Sequence, residues 1–163
     1  MSQVVYAIAT MDTKGEEIAY VAQCLRSSGT NVQTIDVGTL GPPTVAADVA
    51  RQQVTGEDCE SCDSSKGSDR GVAVTAMGEA LARFLLTECK ANRVAGVIGI
   101  GGSGGTALIT AAMRTLPIGL PKMMVSTVAS GNTGPYIDCS DITMMYSVVD
   151  VAGLNIVSRR VLA

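Results

Sequence analysis

The chain contains no histidine and no tryptophan, and its aromatic set is four tyrosines and the single Phe84. Without imidazole, the chain acting alone has no histidine general base, no Ser-His or Cys-His pair and no histidine metal ligand. The scarcity of rings removes the stacking platforms that single-stranded nucleic-acid binders use. Cations are few as well. Twelve Lys and Arg stand against fifteen Asp and Glu, a net charge of −3, with no clustered basic patch to release counterions from a phosphate backbone. Nucleic acid is therefore not an expected partner. No apolar run approaches the roughly 18 residues of a membrane span, and the opening MSQVVYAIATMD has neither a basic leader nor a small-residue cleavage site. The five cysteines, Cys24, Cys59, Cys62, Cys89 and Cys139, are odd in number and mostly scattered, which suits reduced thiols better than a disulfide framework. A cytoplasmic protein without membrane contact is the expectation.

What is present is apolar surface and glycine. With 163 residues, 47% of them hydrophobic and 17% charged, the chain can build one core without disulfide or metal staples, either alone or as a piece of a larger protein. Val4 to Ala9 reads as a strand, and Ile18, Val21, Ala22 and Leu25 recur at helical spacing behind it. Thr13 and Glu16 have capping-box spacing, and Gly29 suits the left-handed position after the helix. Val32 to Val37 gives a second strand, Gly38 to Pro43 a break, and Thr44 to Arg51 a short helix. The stretch Gly56 to Gly71 holds five acids and two bases and reads as a solvated loop. A long amphipathic helix follows to Lys90, with Asn92 as its stop, and then the wholly apolar strand Val94 to Ile100. A glycine cluster, a helix through Leu108, Ala112 and Leu116, a strand from Lys122 to Thr127, a fifth from Thr143 to Ser147 and a last helix from about Asp150 complete the pattern. Alternation of apolar strands with helices predicts an open, doubly wound, Rossmann-like parallel sheet of about five strands in three α/β/α layers. Helical spacing still runs at Ala163, so residues 1–163 read as a single subdomain, the amino-terminal part of a longer protein.

In such a sheet ligands bind beyond the carboxyl ends of the strands, so the segments leaving the strands carry the chemistry. Gly99-Ile-Gly101-Gly-Ser-Gly104 fits G-x-G-x-x-G between strand and helix, but the next acid is Asp138 and no Lys follows. The dinucleotide fingerprint and the P-loop therefore both fail. What remains is an anion cradle of Gly101, Gly102, Ser103, Gly104, Gly105 and Thr106, with the alternative that these glycines serve only close helix–sheet packing. Asp12, Thr13 and Lys14 sit at the first strand-to-helix turn, where Lys14 would meet a phosphate and Asp12 a hydroxyl or metal; capping explains the same residues equally well. After the fourth strand, Ser126, Thr127, Ser130, Asn132 and Thr133 suit a second oxygen-binding wall. Cys59-x-x-Cys62 lies among acids that raise thiol pKa values and reads as a loop pair rather than a redox or zinc site. Cys24, Cys89 and Cys139 read as small core residues, and Met123, Met124, Met144 and Met145 as core or interface filler.

Three stretches, TMDTKGEEIAYVAQCLRSSG, GVIGIGGSGGTALITAAMR and PKMMVSTVASGNTGPYIDCSDITMMYSVVDVAGLN, together resemble the ATP-binding proteins related to the tomato mosaic virus resistance protein, a family long uncharacterised in bacteria, fungi and plants. The similarity runs from Val4 to the end and is faintest from Gly38 to Gly71. It implies a Rossmann-like amino-terminal subdomain that binds ATP and is followed by a second α/β subdomain. By similarity, nucleotide contacts carry over to Asp12, Thr13 and Lys14, to the loop from Gly101 to Thr106, and to Ser126, Thr127, Ala129 and Ser130. No cellular reaction comes with the resemblance.

The leading expectation is thus ATP on the glycine loop, with its magnesium at Asp12 and adenine in an apolar slot offered by Tyr136, Tyr146 or a methionine. A second reading is an enzyme for a small phosphorylated or carboxylate substrate, with acid–base work from Asp12, Lys14, Asp138 or Asp141. A third is a non-catalytic interaction module. The mean hydropathy of +0.31 adds the expectation of a homodimer or of contacts to a second domain.

Overall fold

Five short apolar runs become five parallel strands in the computed structural model, which describes residues 3–56, 69–149 and 153–163. In chain order the elements are β1 (Val4–Ala9), α1 (Met11–Ser27), β2 (Val32–Asp36), α2 (Arg51–Thr55), α3 (Arg70–Lys90), β3 (Val94–Gly101), α4 (Ser103–Met113), β4 (Lys122–Ser126), α5 (Gly134–Ile137), β5 (Thr143–Tyr146) and α6 (Ile156–Leu162). The sheet order is β2-β1-β3-β4-β5, every pairing parallel. This is the Rossmann-like α/β architecture expected from the alternation of elements.

Strand alternation divides the core between two layers. On one face Tyr6, Ile8, Val97 and Met124 pack with Met77, Leu81 and Leu85 of α3 and Leu108, Ile109 and Met113 of α4. On the other, Ala7, Ala9, Ile100 and Val125 meet Met11, Ile18, Val21 and Ala22 of α1. Small alanines on β1 let α1 lie close, and each large side chain fully buried contributes about 1.5–3 kcal/mol relative to exposure. The methionines serve this packing: Met124 is fully buried, and Met123, Met144 and Met145 are partly so.

Four expectations need correction. Thr44 to Arg51 is not a helix: Val49 forms a parallel bridge with Ile35, Asp48 accepts from the Thr34 amide, and the helix begins only at Arg51. The Thr13 capping box is absent, because α1 starts at Met11, and the Thr13 hydroxyl donates back to the Thr10 carbonyl at 3.2 Å. The last helix starts at Ile156 behind an Asn155 cap rather than near Asp150. Cys139 is exposed, not core, while Cys24 and Cys89 are half-buried. Cys59, Cys62 and most of the acidic stretch lie outside the described residues.

Candidate functional site

The strand order reverses between β1 and β3: the chain leaving β1 turns toward β2, and the chain leaving β3 turns toward β4. Divergent connections leave a crevice at the carboxyl ends of these strands, and a cavity of about 380 Å³ lies there. Its volume falls within the 300–1,000 Å³ or so of small-molecule sites. Segments leaving four strands line it. Thr10, Asp12 and Thr13 come from the β1 exit, Thr39 and Leu40 from β2, Gly102, Ser103, Gly104 and Gly105 from β3, and Thr127 and Val128 from β4. Arg70 and Val74 on the first turns of α3 close the remaining side.

The glycine loop divides between packing and access. A Cβ on Gly101 would lie 2.7 Å from the Thr106 amide nitrogen, so this position is glycine because strand and helix backbones meet there. A Cβ on Gly104 would meet nothing within 4 Å and would point into open space. Between them α4 begins behind Gly102, and helix geometry leaves the amides of Ser103, Gly104 and Gly105 without intrahelical acceptors. Those donors, with the positive end of an eleven-residue helix, favour an anion in the cavity.

The opposite wall is preorganised by Asp12. Its Oδ2 accepts from the Leu40 amide at 2.9 Å, which ties the β1 exit to the β2 exit. The Thr10 and Thr13 hydroxyls lie 3.1 Å apart at the floor of the same turn. Leu40, Val74 and Val128 supply the apolar part of the lining.

Other expected contacts sit differently. Thr106 and Ser126 are fully buried and share a hydrogen bond of 2.6 Å beneath the loop, with Ser126 Oγ accepting from the Val128 amide at 3.1 Å. They brace the cavity without lining it. Lys14 occupies the one non-helical position inside α1 and turns its ammonium to Glu17, 3.0 Å away, in a separate small space beneath α6. Ala129 and Ser130 are not in the lining. Tyr136, Tyr146 and the methionines do not line it either. Asp141 pairs with Lys122 at 2.7 Å and Asp138 follows α5, and neither lines the cavity. Thr10, Thr39, Leu40, Arg70, Val74 and Val128 escaped the sequence reading. The strand-exit rule itself would have flagged Thr39 and Leu40, whereas Arg70 and Val74 come from a helix start with no local signal.

Glu88, Tyr6 and Asp141, outside the cavity lining, have displaced titrations. Glu88 is held below the usual carboxylate range by two hydrogen bonds from Arg93, against the effect of burial and with help from the Tyr6 hydroxyl. Tyr6 is pushed up by burial and by Glu88. Asp141 is held low by Lys122 and by the Gly119 amide. Among the described residues no three His, Cys, Asp or Glu side chains gather as a metal site, and no helix is long and apolar enough to cross a membrane.

Comparison with known proteins adds a family to this geometry. The N-terminal domain of the uncharacterised protein family UPF0261 matches residues 3–163. The chain belongs to UPF0261. Within that family it is 52% identical over 159 residues to a UPF0261 protein of Rhizobium meliloti, covering 97% of this chain and 39% of that one. It is 39% identical to a UPF0261 protein of Clostridium tetani, spanning 41% of it. It is 40% identical to the ToMV resistance protein Tm-1(GCR237) of Solanum lycopersicum, of which it spans 23%. This UPF0261 chain therefore spans about two fifths or less of the length of these relatives. Among solved structures, MurG of Acinetobacter baumannii aligns with a TM-score of 0.49 and 14% identity over 94% of this chain and 44% of that one.

Proposed function

We propose that this UPF0261 domain binds ATP at the strand-exit cavity, with the phosphates on the Ser103, Gly104 and Gly105 amides. The observation that carries the reading is one cavity, at the point where strand order reverses, that joins an anion-attracting helix start to an apolar wall. A nucleotide has this same polarity: charge at one end and a flat apolar base at the other. The base would lie toward Leu40, Val74 and Val128, and the Thr10, Thr39 and Ser103 hydroxyls are placed for sugar or phosphate oxygens. The donor set fits a magnesium that arrives with the phosphates better than one held by protein alone, since among the described residues Asp12 is the single carboxylate in the lining. Magnesium there would neutralise phosphate charge beside Asp12. Lys14 has no part in this reading, because its ammonium is turned to Glu17.

Calorimetric titration with ATP and magnesium, beside GTP, NADH and inorganic phosphate at one ionic strength, tests the reading. Saturable ATP binding is expected. Because the Gly104 position opens into free space, Gly104→Val should leave the fold intact and weaken ATP by about a hundredfold or more through steric loss of the phosphate approach. Equal affinity in wild type and variant would remove the phosphates from this loop.

A further inference from the structure

The cavity's second wall is built from two segments that share no secondary structure, the β1–α1 turn and the chain leaving β2. Two carboxylates staple them from opposite sides. Asp12, on the first segment, reaches the Leu40 amide of the second. Asp36, the last residue of β2, reaches back: its Oδ1 accepts from the Met11 amide at 3.1 Å and from the Gly38 amide at 2.8 Å. Asp36 is 2% exposed, so its charge needs a partner, and Arg51 of α2 supplies it. The Arg51 Nε donates to Asp36 Oδ2 at 2.7 Å, and Nη2 lies 2.7 Å from the same oxygen. Gly38 is caught between the two systems. A Cβ there would lie 2.7 Å from Arg51 Nη2 and 2.9 Å from the Asp12 carboxylate.

We infer that the Asp36–Arg51 pair positions the wall of the cavity, fixing Asp12, Thr39 and Leu40 for the ligand without touching it. The inference rests on the nucleotide reading above. Its physical basis is the asymmetry of a buried ion pair. With the guanidinium on Oδ2, Asp36 offers Oδ1 to two amides at once. Without it, the buried carboxylate loses its partner and draws in water or turns away, and both amide ties slacken. Slack of an ångström in such a supporting shell is enough to cost binding while the fold survives. The bridge between Ile35 and Val49 and the three bonds between Asp48 and Thr34 hold α2 in place independently of Arg51.

The test compares wild type, Arg51→Met and Arg51→Lys by ATP–magnesium calorimetry and by amide hydrogen exchange in the absence of ligand. Arg51→Met should weaken ATP about tenfold or more, and Arg51→Lys, which keeps the charge, should recover most of that loss. In Arg51→Met the Met11, Gly38 and Leu40 amides should exchange about tenfold faster, with the buried amide of Thr106 across the cavity unchanged. Uniform acceleration of every amide, with no recovery in Arg51→Lys, would make the pair a stability element only and overturn the inference. Should Arg51→Met fail to fold, Arg51→Gln carries the same comparison. Undiminished ATP binding in a folded Met or Gln variant would sink the positioning role alone. Absence of ATP binding by wild type would sink the nucleotide reading and this role with it.

Discussion

Thr106 and Ser126 show how a side chain can serve a site from beneath. Each hydroxyl is fully buried, and the two share one short hydrogen bond while Thr106 Oγ1 also reaches the Gly101 carbonyl at 3.3 Å. A threonine that opens a helix after a glycine loop reads in the sequence as a ligand donor, because sequence spacing does not say which way a hydroxyl turns. Thr106, one turn into α4, is buried against Ser126 of β4, whereas Ser103, at the open end of the same helix, is exposed in the cavity lining. Thr106→Val keeps the shape and removes the hydroxyl that the buried Ser126 hydroxyl pairs with, and should lower stability by about 1–3 kcal/mol. Urea denaturation checks this as a lower midpoint at unchanged slope. Lys14 teaches the same lesson from the other side. Its charge suggested phosphate, but the non-helical backbone at that residue aims the ammonium at Glu17, whose carboxylate also accepts from the Gly153 amide at 3.1 Å.

Among elements, legibility followed the strength of the local pattern. β1, β3 and α3 announce themselves because strands buried on both faces and a long amphipathic helix leave little choice of residue. Helix termini were less legible. Val45, Ala47 and Val49 alternate with the two-residue period of a strand rather than of a helix, and Val49 satisfies its amide on the Thr34 carbonyl at 2.9 Å in β-type pairing. At α6 the start signal is written in the sequence itself. Asn155 Oδ1 accepts from the Val157 and Ser158 amides, and Ser158 Oγ accepts from the Asn155 amide, a reciprocal cap written as Asn and Ser three residues apart. Asn155→Ala should cost about 1 kcal/mol and fray α6, read as faster exchange of the 158–162 amides with α1 unaffected. The divided site follows from the same logic: the glycine loop is a local motif, while the Leu40, Val74 and Val128 wall exists only once three separate segments converge.

For the whole molecule, charge pairs set the acid limit of stability. Glu88 and Asp141 titrate lower in the folded chain than in the unfolded one, the first because of Arg93, the second because of Lys122. A carboxylate with a depressed folded pKa contributes stability above its unfolded value, about 4, and loses it as pH falls through the folded value. Urea midpoints should therefore hold near neutrality and decline as pH drops below about 5. Glu88→Gln should start lower at neutral pH and decline less steeply. A decline as steep as that of wild type would place the acid sensitivity elsewhere.

The strand order carries one more consequence, for the timing of assembly. β1 finds β2 within about thirty residues of chain, but Val4 meets its β3 partner only at Val94. The β1–α1 turn and the β2 exit, which form the Asp12 wall, can therefore close early in folding, whereas the glycine loop is brought opposite them only after the longest chain closure in the sheet. A molecule bridging both walls has nothing to grip until that closure is complete. ATP should then leave the refolding rate nearly untouched and slow unfolding in proportion to its occupancy, which opposed arms of a chevron plot with and without nucleotide would reveal.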